Sequence, residues 1–183
     1  RSNRAHKQAA KILEYKHKLS LELTSNDDWE TLIDKITEIP STIAAADEAY
    51  LLVKDTVTGK FEKAGHWVLK EQGNRSSIWD PLVPCRKCVE KQPNGRFAFH
   101  ACRNSDDDAS SPDVYSLALH NQNFPSTILK FRLKPNFSLM KDEEQIFRNI
   151  GDEIAAVLQT SQDRKRLSEM QSAQVAMAER RLV

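Results

Sequence analysis

The first apolar pattern along the chain is a narrow stripe within the first 24 residues. Its positions alternate spacings of four and three, the heptad rule that keeps one side of a helix facing a partner helix; they are Ala5, Ala9, Ile12, Lys16, Leu19 and Leu23. The lysine inside the stripe and the charged residues around it favour pairing with the same helix of a second subunit. The alternative is a single amphipathic helix that lies on its own domain.

A second helix is predicted after a short polar segment. The residues TSNDD at 24–28 offer several side-chain oxygens for an N-cap, and Glu30 follows Asp27 at capping-box spacing. The apolar stripe of this helix is wider and predicts packing on the domain itself; it consists of Trp29, Leu32, Ile33, Ile36, Ile39 and Ile43. Pro40 is expected to kink or interrupt the helix near its end.

Five later runs have the composition and alternation of β-strands. The first two, residues 49–55 and 61–69, flank a polar turn that contains Gly59 and therefore predict a hairpin. NQNFP is expected to form a turn between the last two of three further strands, which are predicted at residues 96–102, 114–120 and 126–134. The long connection before the third strand lacks a helical period, and connections of that length are usually functional or disordered.

The last part of the chain predicts a helix that leaves the domain. Residues 142–159 place apolar side chains at helical spacing behind an acidic first turn, which complements the helix dipole. The following residues contain neither Gly nor Pro and keep a thin stripe at Leu167, Met170 and Met177, so the helix should continue toward a partner helix.

These elements predict an α+β fold, with an antiparallel sheet of five to six strands, flanking helices and long signalling helices at both termini. Three parts of the chain follow from this division. They are an N-terminal coiled-coil or signalling helix at 1–24, a sheet-containing domain at 25–160 and a C-terminal signalling helix at 161–183.

Composition and charge exclude several classes of protein. Lys and Arg total 27 against 26 Asp and Glu among 183 residues, and the net charge of +1 gives no electrostatic basis for nucleic-acid binding. No run approaches the ~18 consecutive apolar residues of a membrane span, and the N-terminus lacks the apolar run of a signal peptide. We expect a soluble chain without membrane contact. Three cysteines, an odd number, argue against a disulfide framework and favour a reducing, cytoplasmic location.

All three cysteines lie in the stretch PCRKCVEKQPNGRFAFHAC, residues 84–102. Cys85 and Cys88 form a CxxC turn, and His100 and Cys102 should point to one face of the following strand, because strand side chains alternate. A zinc ion or an iron–sulfur cluster needs several thiolates or imidazoles that converge on one point, so these four residues are candidate ligands of either. The alternatives are a thiol redox switch between the first two cysteines and cysteines that pack as small apolar residues.

The order of the elements and the segment STILKFRLKPNFSLMKDEEQIFRNIGDEIAAVLQ resemble a GAF domain over roughly residues 20–160. GAF domains typically end with an apolar strand, a short loop and an acidic-capped helix of this kind. The tail QVAMAERRLV resembles the stretch that leads into the phosphoacceptor helix of sensor histidine kinases of the nitrate/nitrite-responsive type, which also carry a cysteine-bearing module. The resemblance implies a cytoplasmic sensor module that forms a homodimer through its terminal helices. A response regulator would be a partner only through the parent kinase.

The resemblance also implies a ligand pocket over the sheet, beneath the long connection. The candidate pocket residues are His66 and Trp67 on the second strand and Trp79 in that connection. A packed strand histidine and core aromatic side chains are the alternative roles for these three residues. The acidic run at 106–108 lacks the spacing of a calcium site and is expected to be solvated.

The sequence lacks the motifs of the common enzyme classes. It has no nucleophile elbow, no HExxH motif and no phosphate-cradling loop, and its five glycines are too few for such a loop. We predict no enzyme activity here and expect any kinase activity to belong to sequence outside these residues. The patterns of cyclic-nucleotide-binding and bilin-binding GAF domains are also missing. Two alternatives are a thiol enzyme of the methionine-sulfoxide-reductase kind, which has a GAF-like fold, and a purely structural dimerising spacer.

Overall fold

The computed structural model describes residues 2–23, 28–70, 84–89, 97–102, 113–121 and 124–182. The helices and strands in these ranges confirm the α+β class. In chain order they are α1 (Ser2–Glu22), α2 (Trp29–Ile43), β1 (Ala46–Lys54), β2 (Phe61–Val68), α3 (Arg86–Val89), β3 (Phe97–Ala101), β4 (Val114–Asn121), β5 (Phe124–Leu133) and α4 (Lys141–Arg181). Across the same ranges, no helix combines the length and the hydropathy that a membrane crossing requires.

The described strands form one antiparallel sheet in the order β2-β1-β5-β4-β3. The predicted hairpin of β1 and β2 is present, and Gly59 adopts a φ of 69° in its turn, a conformation that glycine reaches at little cost. The predicted NQNFP turn is shorter than expected. Asn121 already pairs with Phe124, because ladder pairing satisfies backbone groups that a longer turn would leave to water.

One face of the sheet is covered by helices and holds the main core. At its centre, the ring of Phe131 on β5 lies 4.8 Å from that of Phe147 on α4, and the ring of Phe99 on β3 lies 5.2 Å from the same Phe147 ring. Burial of large aromatic rings is among the strongest contributions to stability. Strand residues and the helical stripes predicted from the sequence complete this core; the helical members include Leu32, Ile33, Ile36, Ile39, Ile150, Ile154 and Leu158.

The start and the end of α2 follow from local chemistry. Asp28 is its N-cap and accepts a hydrogen bond from the Thr31 N–H at 2.7 Å. Asp27, and with it the predicted capping box to Glu30, lies outside the described residues. Pro40 does not interrupt the helix, which reaches Ile43. Proline lacks only its own N–H, and the Pro40 carbonyl still accepts from Ala44 at 2.9 Å.

The second half of α1 packs on its own domain. Leu19 and Leu23 are buried in the main core, and Lys16 Nζ lies 3.5 Å from Glu153 Oε1 on α4. For these residues the structure supports the interpretation of an amphipathic helix that lies on its own sheet-containing domain. Near the middle of the helix, the side chain of Leu13 is 69% exposed.

Helix α4 runs without a break across the predicted domain boundary at residue 160. Its first half packs on the sheet, whereas residues 163–182 are exposed. The predicted thin stripe falls in this exposed half, and its three side chains are between 55% and 64% exposed; they are Leu167, Met170 and Met177. The helix therefore leaves the domain as the sequence predicts.

The other face of the sheet carries a buried polar group. Arg132 on β5 is 5% exposed, and its Nε donates to Asp47 at 3.0 Å while its Nη2 lies 3.2 Å from Glu48 Oε2. Asp47 and Glu48 are consecutive, so a regular strand would direct them to opposite faces. The pairing register of β1 shifts between Ala46 and Glu48. This irregularity lets both carboxylates meet one guanidinium.

We expect Gly65→Ala to destabilise the fold. Gly65 on β2 lies so close to α2 that an added Cβ would clash with Ile33 Cγ2 and lie 2.9 Å from Thr37 Cγ2. Overpacking of this kind lowers the free energy of unfolding by ~1–3 kcal/mol. Denaturation in urea measures the loss, with the exposed Lys63→Ala as a control that should change stability by less than ~0.5 kcal/mol. Equal stability of both variants would contradict the close packing of α2 on β2.

We expect Arg132→Met to have a larger effect. Removing one partner of a buried ion pair leaves an uncompensated charge and costs about 3–5 kcal/mol, and here Asp47 is fully buried. Lys18→Met is the control, because Lys18 forms an exposed pair with Glu22 at 4.0 Å, and such pairs contribute under ~1 kcal/mol. If chemical denaturation gave a similarly small loss of stability for both variants, Arg132 would not form a buried ion pair with Asp47.

Candidate metal centre

Cys85 and Cys88 are brought together by the first turn of a short helix. Helix α3 begins at Arg86, and the Cys88 N–H donates to the Cys85 carbonyl at 3.0 Å. Residues three positions apart lie on one side of such a turn, and the two sulfur atoms are 3.4 Å apart. Cys88 is fully buried and Cys85 is half-buried, and both are free thiols.

Strand β3 and the residue after it supply two further side chains from one face. His100 Nε2 lies 3.2 Å from Cys85 Sγ and 3.1 Å from Cys88 Sγ, while Cys102 Sγ lies 3.8 Å from Cys88 Sγ. The alternation of strand side chains places His100 and Cys102 on the same face. The structure thus brings together all four side chains that the sequence offers as ligands, with their donor atoms within 4.8 Å of one another.

These spacings fit a single four-coordinate ion. Two thiolates, each ~2.3 Å from a zinc ion, lie about 3.8 Å apart at the tetrahedral angle, and the two sulfur–sulfur distances here are 3.4 and 3.8 Å. A cluster of several irons has bridging sulfides between its metals, so its cysteine sulfurs are spread more widely than the ligands of one ion. The donor set and its spacing therefore suit zinc better than an iron–sulfur cluster.

The four side chains strongly perturb one another's protonation. Hydrogen bonds with Cys102 and Cys88 lower the pKa of the Cys85 thiol, whereas hydrogen bonds with Cys85 and Cys88, together with burial, raise the pKa of Cys102. Burial acts to lower the pKa of His100, but its hydrogen bonds to Cys85 and Cys88 and their negative charge raise it to about 9. These shifts favour a thiolate at Cys85 beside an imidazolium at His100. A divalent cation can replace the protons of such a group.

Ser116 on β4 belongs to this cluster although the sequence patterns do not single it out. Its Oγ lies 2.7 Å from Cys102 Sγ, and its side chain is fully buried. It pairs with His100 in the β3–β4 ladder and so lies on the same face of the sheet. Its signal in the sequence is a single serine within the largely apolar strand VYSLAL, which by itself indicates only a buried hydrogen bond.

A second polar group on the same face surrounds Glu48. The Tyr50 hydroxyl donates to Glu48 Oε1 at 2.8 Å, and His66 Nε2 lies 2.9 Å from the same oxygen. The rings of Tyr50 and His66 stack with their centroids 4.2 Å apart. Burial and the hydrogen bond to Glu48 raise the pKa of Tyr50 to about 12. His66 thus shares a face with the cysteine cluster but lies on β2, at the opposite edge of the described sheet.

Trp67, one of the two tryptophans predicted with His66, lies on the opposite face of β2 from His66. Trp67 follows His66 along β2 and pairs with Ala49, a residue of the main core, so it lies on the helix-covered face. Successive strand side chains point to opposite faces, and His66 and Trp67 therefore cannot line one pocket. Trp79 and the acidic run at 106–108 lie outside the described residues. Ligand-binding roles for the three pocket residues stay predictions.

The architecture matches a fold known from another protein. No family model matches the chain, and no curated protein matches it. A solved structure does: the GAF domain of a protein from Pseudomonas syringae pv. tomato, described as a sensor histidine kinase, aligns with 95% of this chain and 99% of its own length. The TM-score is 0.56 at 16% sequence identity, a level at which the likeness establishes the fold alone. The chain therefore has the GAF fold that its order of elements predicts.

Proposed function

We propose that this chain is the sensory GAF module of a two-component histidine kinase, in which a Cys3His site binds one divalent metal ion and passes its state to the outgoing helix. The observation that carries the proposal is the convergence of four ligand atoms within 4.8 Å. The sensor kinase described for the similar structure supports the sensory role. In this proposal the kinase core belongs to the parent protein, and the module itself has no catalytic activity.

Zinc is the ion that this donor set suits best. Thiolate and imidazole ligands select zinc over magnesium or calcium, and four protein ligands form the closed type of zinc site. A reducing, cytoplasmic location would keep the three thiols free to bind the ion. The ion would join the segment at 84–89 to the edge of the sheet, because two ligands come from each side.

The relay would start at β3, because one face of this strand contacts the metal site and the other face contacts α4, the proposed output helix. His100 lies in the cysteine cluster, whereas the adjacent Phe99 packs on the other face with its ring centroid 5.2 Å from that of Phe147 on α4. The guanidinium of Arg148 on α4 lies 5.5 Å from the centroid of the Phe99 ring. A shift of β3 on metal binding would therefore reach α4 directly. Occupancy becomes a signal only if the ion favours one of two packings of that helix.

The exposed half of α4 is the proposed route to a homodimer. Leu167, Met170 and Met177 are spaced by three and seven residues, as on one side of a coiled coil. A second copy of this chain would bury the stripe, and the paired helices would carry the change toward the next domain.

We expect about one zinc ion per chain in protein purified without air, because the four ligands make one closed site. Cys88→Ser should abolish the bound metal, since the residue is fully buried among the other ligands. Elemental analysis with sulfide determination measures the content. His66→Gln is the matched control, a histidine on the same face but outside the cluster, and should keep the metal. Equal metal content in Cys88→Ser and the parent chain would refute this site. Iron found together with sulfide would show that the site holds an iron–sulfur cluster and not zinc.

We also expect the chain to sediment as a dimer at high micromolar concentration. Met170→Glu should shift it toward the monomer, because it places a charge in the paired stripe. Ser168→Glu adds the same charge to the exposed helix away from that stripe and should leave the dimer unchanged. A parent chain that stays monomeric throughout would contradict the homodimer.

One alternative function is supported by the proximity of two thiols. The sulfur atoms of Cys85 and Cys88 are 3.4 Å apart and would need to approach to about 2.05 Å to form a disulfide. A thiol enzyme would pass two electrons and two protons from this pair to a sulfoxide, which yields a thioether, water and the disulfide. Turnover of a methyl sulfoxide with a thiol reductant would favour this enzyme over a sensor module. A purely structural spacer would instead leave kinase output insensitive to cysteine substitution.

A further inference from the structure

We propose that Ser116 is a positioning residue of the metal site, whose hydroxyl orients the Cys102 thiolate and stabilises its charge. The inference rests on the proposed metal function and extends the site from α3 and β3 to β4. Ser116 is not one of the four candidate ligands. Its Oγ nevertheless lies 2.7 Å from Cys102 Sγ, within hydrogen-bond distance.

In the metal-bound site, the charge on the Cys102 sulfur would determine the direction of this hydrogen bond. The side chain is fully buried, and buried hydroxyls satisfy their hydrogen bonds within the protein. Its ladder neighbours on the same face are His100 and Lys130. A lysine ammonium carries donors alone and cannot accept the hydroxyl proton. The sulfur of Cys102, which binds a metal as a thiolate, is an acceptor, so the serine donates to it.

The backbone N–H groups of two of the cysteines already have carbonyl acceptors. In the CxxC turn, the Cys88 N–H donates to the Cys85 carbonyl at 3.0 Å. At the end of β3, the backbone N–H of Cys102 is already used in the sheet, because it donates to the Val114 carbonyl at 2.8 Å. Among the described residues, Ser116 on the neighbouring strand offers the Cys102 sulfur a side-chain donor at 2.7 Å.

A hydrogen bond from outside the coordination shell has a measurable effect on metal binding. It fixes the orientation of the ligand, and removal of such a partner typically weakens metal affinity 10–100-fold. Three thiolates, a neutral imidazole and a divalent ion together carry one net negative charge. The Ser116 hydroxyl, and beyond it the buried Lys130 ammonium, present positive polarity on the face that receives this charge.

The test compares three variants of the full 183-residue chain. Ser116→Ala removes the hydroxyl, and Ser116→Thr keeps it. Thr37→Val is the matched control, because it removes a buried hydroxyl from the helix-covered face, where Thr37 Oγ1 donates to the Ile33 carbonyl at 3.0 Å. Competition with a chelator measures the affinity for Zn²⁺ and Co²⁺. The thiolate-to-cobalt absorption reports how many sulfur atoms bind and in what geometry.

We expect Ser116→Ala to bind both ions about 10–100-fold more weakly, with a changed cobalt absorption. Ser116→Thr and Thr37→Val should bind both ions like the parent chain. Unchanged affinity and an unchanged spectrum in Ser116→Ala would overturn the role of Ser116 and leave the metal site standing. A parent chain that binds neither ion would overturn the metal function itself, and this inference with it.

Discussion

The arrangement as a whole depends on the alternation of side chains along β3. Phe99 points into the aromatic core against Phe147 of α4, and the next residue, His100, points into the cysteine cluster on the opposite face. One short strand therefore contacts both the cysteine cluster and α4. β3 pairs with β4 alone among the described strands, so it lies at an edge of the described sheet.

The two faces of the sheet are stabilised by different forces. The helix-covered face has a continuous apolar core. The opposite face, which carries the cysteine cluster and is called the site face here, has a smaller apolar cluster. Its buried members among the described residues are Leu52, Cys88, Ala118 and Ile128. Much of the remaining site face is polar: Arg132 is paired with Asp47 and Glu48. Removal of one partner from such a buried ion pair strongly destabilises a protein, although the intact pair adds little net stability. The segment at 84–89 thus has limited apolar contact to hold it on the sheet.

The parts of this structure that repeat with a period were predictable from the sequence. A regular spacing determines the side of a helix or strand to which a side chain points. Spacing alone therefore predicts the apolar stripes of α2 and of the first half of α4. It also predicts the common face of His100 and Cys102. The apolar stripe at the start of the chain does not distinguish a helix that pairs with a second subunit from one that packs on its own domain. Leu19 and Leu23 would show the same spacing in both cases.

Features that arise from contacts between strands far apart in the sequence were not predictable from the sequence. Arg132 alternates with apolar neighbours on β5 as if it faced solvent, but it is buried because β1 supplies two carboxylates. Those carboxylates share a face only through the irregular register after Ala46, which no periodic pattern reveals. Ser116 likewise gains its meaning from the ladder that sets it beside His100. Its contact with a sulfur atom depends on register, and a single sequence does not display register.

The proposed sensory role sets an energetic requirement on the site. Full burial of an aliphatic side chain contributes about 1.5–3 kcal/mol, so the small apolar cluster gives the segment at 84–89 modest stability on the sheet. Structural zinc binding in small domains is worth ~10–16 kcal/mol. Reversal of a two-state population from 1:99 to 99:1 needs only about 5.5 kcal/mol of differential binding. In the proposal, an ion held by Cys85, Cys88, His100 and Cys102 would have to bind one packing of α4 more tightly than the other by this amount. The contact of Phe99 with Phe147 of α4 is where such a difference would act.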